Sequence, residues 1–312
     1  MLSSQAAITE VSRNLSLITL VPPINGFEDF IGVWLYRGST VFVVDVGPAS
    51  TAEALLEILD RHQVTNLDYI FLTHIHLDHA AGVGAVAERF PRTPIVCHET
   101  AIPHLLNPNR LGEGTVKTLG SIGEAYGPIQ PVSRVRLTDA AMLKAPEFES
   151  IDTPGHAPHH VSYRFRDILF AGEAGGIVFQ FENGPPYQRP STPPKLRLKV
   201  FLASLDRLIS RDVSKFCPGH HGFFRNSSGL LKKHRNQLKL WEKVIKETIR
   251  QESGDDLADI CLSRLLSQDP LMMSLHAAPA TIQDRERFFL ANSVRGFIED
   301  LQQGSRGDEE NR

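Results

Sequence analysis

A dense group of metal-competent side chains stands directly after a short apolar run in the sequence. The run YIFLT (69–73) leads into H-I-H-L-D-H, which contains His74, His76, Asp78 and His79. Alternate residues of extended backbone point to the same side, so His74 and His76 face one way, while Asp78 and His79 open the next predicted helix. Imidazole and carboxylate ligands together are typical of catalytic zinc, iron or manganese centres. The group therefore predicts a catalytic metal site.

The surrounding sequence predicts alternating strands and helices. Strand-forming runs at 15–20, 31–38 and 40–47 indicate an initial antiparallel meander. A helix from Thr51, a strand at 69–73, a helix ending before Pro91 and a strand at 94–98 then predict a β-α-β-α-β half with helices on one sheet face. Residues 99–135 are rich in Gly, Pro and Asn and predict an excursion that is helical only around 114–126. Further strands are expected at 148–153, 160–165, 167–173 and 215–219.

The later part of the chain predicts a helical extension. A helix is expected over 196–210, and the stretch 230–251 has the apolar spacing of one long amphipathic helix. No strand signal follows Gly229, and the polar sequence GSRGDEENR favours disorder at the end. We therefore expect a metal-binding domain at 1–228, a helical extension at 229–303 and a disordered tail at 304–312. The apolar positions of the extension fit packing on the core or a homodimer contact.

Composition limits the classes of partner and compartment. The net charge is −3, with 36 acidic and 33 basic residues, which provides no general attraction to nucleic acid or to an anionic membrane. The three cysteines lie far apart and lack the paired spacing of a zinc knuckle or disulfide scaffold. Glu10 and Arg13 interrupt the apolar segment that a secretory signal needs. We expect a cytoplasmic protein that acts on a small molecule, without nucleic-acid or membrane partners.

The motif, with its position after a strand, resembles the H-x-H-x-D-H motif of the metallo-β-lactamase superfamily. The family's other motifs have matches in the same order, and the resemblance covers roughly residues 15–225. The residues that match these other motifs are Asp45 in VVDVG, His156 in DTPGHAPHH and His220 in FCPGHHG. One position departs from the pattern, since Glu173 in AGEAGG stands where the family has an aspartate that bridges two metals. The resemblance implies an α/β fold, a four-layer αββα sandwich with the helical extension at its C-terminal end.

The resemblance also implies roles for these residues. His74, His76 and His156 would hold a first metal, Asp78, His79 and His220 a second, and Glu173 would lie between them. The implied cofactor is two divalent ions, zinc first, with iron or manganese as alternatives. Two cations facing two carboxylates would keep a net positive charge, which would lower the pKa of a bound water and supply hydroxide near neutral pH. Asp78 is the candidate catalytic residue, because it could orient this nucleophile or accept its proton.

Other polar residues near the motifs are candidates for supporting roles. Asp45 is expected to orient the ligand loop. His160 and His221 are predicted to support the ligands rather than bind metal, and the same applies to His159. Tyr187 is a candidate for substrate contact, although the Pro-rich segment around it is equally consistent with a rigid surface connection.

Several functions fit this pattern, and the leading one is hydrolysis of a small ester, thioester or lactone. A mononuclear iron enzyme similar to the persulfide dioxygenases of the same superfamily is an alternative. A non-catalytic metal-binding or ligand-sensing module is another, because Glu173 replaces the usual aspartate. A nuclease is less favoured, since the basic stretches 195–199 and 232–235 are typical of solvated helix faces.

Overall fold

The computed structural model describes residues 5–180, 185–193 and 196–310, with the side chains of residues 6–303 inside those ranges. The chain divides into two compact units. Unit 1 comprises Met1–Asp152, His159–Gly172 and Lys215–Phe224, and unit 2 comprises Thr153–Pro158, Glu173–Ser214 and Arg225–Arg312.

The strands of the described residues form three sheets. Their bounds are β1 Gln5–Ser12, β2 Leu15–Val21, β3 Ile31–Arg37, β4 Val41–Val44, β5 Tyr69–Phe71, β6 Ile95–Cys97, β7 Leu137–Asp139, β8 Phe148–Asp152, β9 Val161–Phe165, β10 Ile168–Gly172, β11 Ile177–Phe179, β12 Tyr187–Arg189 and β13 Lys215–Pro218. The sheets have the orders β1-β2-β3-β4-β5-β6-β7, β13-β10-β9-β8 and β11-β12. The first two sheets belong to unit 1 and the third to unit 2.

The helices lie between and after these strands. Their bounds are α1 Ala52–Arg61, α2 Leu77–Ala80, α3 Val83–Arg89, α4 Ile102–Leu106, α5 Asn109–Leu119, α6 Ser121–Tyr126, α7 Leu198–Ile209, α8 Ser227–Gln251, α9 Leu257–Gln268 and α10 Ala280–Glu310. None of these helices, within the part of the chain that the structure describes, has the length and apolar character needed to span a membrane.

The core of unit 1 lies between its two sheets. Along β2, β3 and β4 alternate residues are buried on one face, including Trp34, Phe42 and Val44, and they meet the alternating face of β9 and β10, including Tyr163 and Phe170. Residues two apart in a strand share a face, so the alternation of apolar residues determines which face of each strand packs in the core. Each fully buried large side chain contributes roughly 1.5–3 kcal/mol through removal from water.

The parallel strands of the large sheet are apolar on both faces. Val43, Ile70 and Ile95 stand in register across β4, β5 and β6 and are fully buried. Their face is opposite to the inter-sheet core, and α1 contributes its own buried stripe, which includes Leu55 and Leu59. Parallel sheets are normally covered by helices on such faces. The predicted meander and β-α-β-α-β half are therefore confirmed.

Unit 2 contains the helices α7, α8, α9 and α10. The inward stripe of α8 includes Leu231, Leu238 and Trp241, all fully buried. The ring of Trp241 lies 5.6 Å from that of Phe297 on α10. Helices with apolar residues at intervals of three and four bury one face in this way. The C-terminal helices expected from the sequence are therefore present.

The structure differs from the sequence-based prediction at several elements. β1 was not predicted, and it pairs antiparallel with β2. The excursion after β6 contains three helices, α4, α5 and α6, with Gly120 at φ +57° separating the last two.

The Pro-rich segment was predicted as a loop but contains β12; its residues 181–184 and 194–195 lie outside the described residues. α10 extends to Glu310, while 311–312 and the side chains from 304 onward are not described, so disorder at 304–312 stays a prediction. The domain limits 1–228 and 229–303 also stay predictions.

Candidate metal centre

The histidine motif begins directly after β5 and turns into the short helix α2. His74 and His79 are buried, while His76 and Asp78 are partly exposed. The His74 ring lies 4.6 Å from the His76 ring and 4.2 Å from the His79 ring, measured between centroids. His76 caps α2, and its carbonyl accepts the backbone N–H of His79 at 3.0 Å. A tight strand-to-helix turn therefore gathers the four side chains that the motif predicts.

Asp45 organises this turn from the end of β4. Its backbone lies in the left-handed region, at φ +60°, where aspartate and asparagine are among the few non-glycine residues commonly found. Its carboxylate accepts the backbone N–H of Thr73 at 2.8 Å and the Thr73 hydroxyl at 2.9 Å. Its Oδ2 also lies 2.9 Å from Nδ1 of His79. One buried carboxylate thus holds both the start of the loop and a histidine of the motif.

Thr73 extends the influence of Asp45 to a second histidine. The Thr73 hydroxyl lies 3.0 Å from Nδ1 of His74. Because its single hydrogen is donated to Asp45, the Thr73 oxygen accepts from His74, and Nδ1 of His74 carries the proton. The hydrogen bonds from His74 to Thr73 and from Thr73 to Asp45 therefore set the tautomer of His74. Asp45 sets that of His79 directly. Sequence reasoning did not identify Thr73; its position immediately before the motif was the available signal.

His220 joins the same unit-1 group from the end of β13. Its Nδ1 lies 3.1 Å from the carbonyl oxygen of Phe30, and its ring packs on the Phe30 ring at 4.0 Å between centroids. Its Nε2 lies 3.9 Å from Oδ2 of Asp78, which is 3.7 Å from Nε2 of His79. The candidate ligand atoms of Asp78, His79 and His220 all lie within 4.8 Å of one another. The structure thus brings together three of the predicted ligands from distant parts of the sequence.

His156 and Glu173 lie together in unit 2. Nδ1 of His156 is 3.0 Å from the carbonyl oxygen of Ser191 and 3.2 Å from Oε2 of Glu173. The Ser191 hydroxyl donates to the same Oε2 of Glu173. His156 and Glu173 are almost completely buried, so their polar groups are held by these neighbours rather than by bulk water. Sequence reasoning missed Ser191, because nothing in the segment RPSTPP distinguishes a positioning serine from a turn residue.

The remaining candidates occupy supporting or buried positions. His160 is fully buried, and its ring lies 5.2 Å from that of His74; His159 lies 6.4 Å from the same ring. Burial lowers the pKa of His221, against the opposing influence of Asp29. Tyr187 is fully buried and its hydroxyl donates to Glu286 at 2.9 Å. This burial favours a packing role for Tyr187 over direct contact with a substrate.

The donor chemistry of the two units fits divalent metal ions. Each Nδ1 of His74, His79 and His220 in unit 1 faces an oxygen acceptor, and so does Nδ1 of His156 in unit 2. A neutral histidine that donates through Nδ1 carries its lone pair on Nε2. Metal-binding histidines are normally oriented by such contacts through their other nitrogen. The carboxylate of Asp78 lies between His79 and His220, and the candidate ligand atoms of these three residues are close enough together to hold a metal ion.

Comparison with known proteins agrees with this geometry. A family model described as the metallo-beta-lactamase superfamily matches residues 28–220, more than half of the chain. The metallo-beta-lactamase fold-containing protein ST1585 of Sulfurisphaera tokodaii is 27% identical over 227 residues, which cover 70% of this chain and 82% of that protein. A hydroxyacylglutathione hydrolase of Xylella fastidiosa is 27% identical over 267 residues, covering 83% of this chain and 87% of the relative.

Solved structures support the fold. The crystal structure of ST1585 from Sulfolobus tokodaii superposes with a TM-score of 0.64 at 21% identity, covering 92% of this chain and 99% of that one. The metallo-beta-lactamase family protein TTHA1429 of Thermus thermophilus gives 0.64 at 19% identity, covering 95% of each chain. The predicted fold class is therefore confirmed. The probable metallo-hydrolase MJ0888 of Methanocaldococcus jannaschii is also similar, at 27% identity over 205 residues, which cover 64% of this chain and 92% of that protein. Because the family model covers more than half of the sequence, the chain belongs to the metallo-β-lactamase superfamily.

Proposed function

We propose that this protein is a hydrolase that uses two divalent metal ions, zinc first, to cleave a small ester, thioester or lactone. The observation that carries the proposal is the shared orientation of His74, His79 and His220, whose Nδ1 atoms are all engaged by oxygen acceptors. This arrangement leaves the lone pair of each Nε2 available to a metal ion, which supports the proposal. A loosely oriented surface histidine group would not show three such contacts.

The ligand assignment follows the order of the family motifs. His74, His76 and His156 would hold the first ion, and Asp78, His79 and His220 the second, with Glu173 shared between the two. Glutamate has the same charge and donor oxygens as the usual aspartate but reaches one methylene further. When bound, the ions would act as Lewis acids that lower the pKa of a water molecule and polarise the scissile carbonyl.

Asp78 is the residue proposed to handle the proton. Its side chain is 15% exposed, while those of His79 and His220 are nearly inaccessible. Its Oδ2 is within 4 Å of Nε2 of both histidines, so the carboxylate lies beside the proposed ligand atoms and still reaches solvent. From this position Asp78 would orient the attacking water and accept its proton.

The substrate class rests on the relatives and on the charge of the site. The Xylella fastidiosa relative is named as a hydrolase of hydroxyacylglutathione, a thioester, and it is matched over 87% of its length. A site with imidazole ligands and two carboxylates would keep net positive charge with two divalent ions, which favours a developing oxyanion. An acyl carbon is therefore the proposed point of attack, in a small-molecule substrate.

Elemental analysis of the purified protein beside Glu173→Ala tests the metal content. We expect close to two zinc or manganese ions per chain in the wild type and one fewer in the variant, with no change in an Asp206→Ala control on the exposed face of α7. Hydrolysis of a hydroxyacylglutathione thioester, an oxygen ester and a lactone is then measured on the loaded protein. A single iron would overturn the two-metal hydrolase in favour of an oxygenase, and full metal without turnover on any of the three would favour a binding module.

A further inference from the structure

Ser191 contacts two of the proposed ligands, His156 and Glu173, both in unit 2. Its backbone carbonyl and hydroxyl oxygens lie 3.0 and 3.2 Å from Nδ1 of His156. Its hydroxyl donates to Oε2 of Glu173. Because the hydroxyl hydrogen is used on the carboxylate, the oxygen can only accept from the imidazole. Ser191 therefore fixes both the tautomer of His156 and the position of one Glu173 oxygen.

The strand before Ser191 is fastened to α10 by a buried ionic cluster. The Arg189 guanidinium donates to Oε2 of Glu286, and Arg285 donates to Oε1 of the same carboxylate at 3.0 Å. Tyr187 donates to Oε2 from the start of the strand. Burial opposes ionisation of Glu286, but Arg189 and Arg285 outweigh it and hold the pKa of Glu286 below its ordinary value. All four side chains are buried, so the pairs are little screened by solvent.

A second set of contacts fastens the residues on either side of Ser191 to α10. The Thr192 hydroxyl donates to the carbonyl oxygen of Ser293 at 3.4 Å, and the Ser293 hydroxyl donates to that of Pro190 at 3.4 Å. A β-carbon at Gly296 would lie 2.5 Å from the carbonyl oxygen of Pro193, so α10 approaches the segment closely at this point. The segment 189–193 is thus held along its length by one helix.

We propose that Ser191 is a positioning residue for the metal ligands His156 and Glu173, and that α10 holds it in place through Glu286 and Ser293. The inference rests on the proposed two-metal function. It also means that Glu173 helps to orient His156, because the Glu173 oxygen that accepts the Ser191 hydroxyl also lies 3.2 Å from Nδ1 of His156. It also gives the C-terminal helix a direct connection to metal binding, through a segment of unit 2 alone.

Cobalt(II) affinity of the metal-stripped full chain is the primary test of Ser191. Ser191→Ala should lower the affinity of the weaker cobalt site about 10- to 100-fold, as expected when a residue supporting a ligand is lost. It should also change the visible absorption of the bound cobalt. Ser191→Thr keeps the hydroxyl and should restore both readouts. Ser227→Ala removes another buried serine hydroxyl of unit 2, which donates to Val213, and should leave both unchanged.

The part played by α10 is tested with two variants of different severity. Glu286→Gln should weaken cobalt binding in the same direction as Ser191→Ala. If this variant does not fold, Ser293→Ala provides the milder test, and a smaller loss of cobalt affinity than in Ser191→Ala is expected because Ser191 itself is retained. Wild-type cobalt affinity and spectrum in both Ser293→Ala and Ser191→Ala would overturn the proposal while leaving the metal-dependent function intact. Absence of cobalt binding in the wild type would overturn both.

Discussion

The carboxylate of Asp45 lies 2.9 Å from Nδ1 of His79 while it also receives the hydroxyl and backbone N–H of Thr73. A single side chain at the end of β4 therefore dictates which nitrogen of His79 can act as a metal ligand. The left-handed backbone conformation of Asp45 directs its carboxylate towards His79, so the geometry of the candidate metal centre depends on that conformation.

Asp45→Asn is predicted to impair metal binding without loss of the fold. Asparagine tolerates φ +60°, but its amide nitrogen would face Nδ1 of His79 and favour the opposite tautomer, with the proton on Nε2. We expect the metal affinity to fall about 10- to 100-fold. Metal content after dialysis against a chelator measures this. Asp206→Asn, in an exposed ion pair with Arg235, is the control and should match the wild type; unchanged metal retention in Asp45→Asn would contradict the assigned role.

Gly155→Ala is predicted to disturb the turn that carries His156. Gly155 has φ +152°, and a β-carbon there would lie 2.4 Å from Cγ of Phe201. The rigid aromatic ring cannot yield easily, so a loss of about 1–3 kcal/mol in the free energy of unfolding is expected. Gly112→Ala, within α5 and with nothing in 4 Å, should instead stabilise by about 0.5–1 kcal/mol. Chemical denaturation of both variants checks the contrast, and equal effects would contradict it.

Phe42→Ala tests the core between the two sheets of unit 1. Its fully buried ring contacts those of Tyr36, Phe71, Phe165 and Phe170 at centroid distances of 5.2 to 5.8 Å. Loss of these contacts and the cavity that remains should cost about 3–5 kcal/mol. Val135→Ala, at a side chain that is 90% exposed, should change stability by less than about 0.5 kcal/mol. Denaturation midpoints provide the measurement, and a loss below about 1 kcal/mol in Phe42→Ala would be inconsistent with this core.

His234 is predicted to make unit 2 sensitive to acid. Burial lowers its pKa from 6.5 to about 4, against a smaller opposing effect of the hydrogen bond with Gln237. Since the unfolded chain takes up this proton more readily, the free energy of unfolding should fall as the pH drops from about 6.5 to about 4. The contribution is about 3 kcal/mol across that window.

The variant His234→Gln isolates this effect. Stability measured at several pH values should fall less steeply below pH 6.5 than in the wild type, because the titrating group is gone. His62→Gln, at an exposed histidine after α1, should keep the wild-type slope. Parallel slopes for wild type and His234→Gln would remove His234 as the source of acid sensitivity.

The sequence predicted the elements whose signal is local. The strand before His74 and the long helix α8 follow from apolar runs and from helical spacing, and the candidate ligands follow from their places after strands. β1 was missed because QAAITEVS alternates only weakly. Ser191 was missed because its partners His156 and Glu173 are 35 and 18 residues away in sequence. The pairing of Arg189 with Glu286 spans 97 residues and depends on how the helices pack, which no local pattern specifies.

The hydrogen bond between His220 and Phe30 joins residues 190 positions apart. During synthesis on the ribosome, the histidine motif and its supporting aspartate emerge long before His220 does. A nascent chain that ends before β13 therefore has most of the candidate ligands but lacks the strand that positions His220. The proposed second metal ion, which would use His220, would accordingly bind only after β13 has been synthesised and not when the histidine motif first emerges.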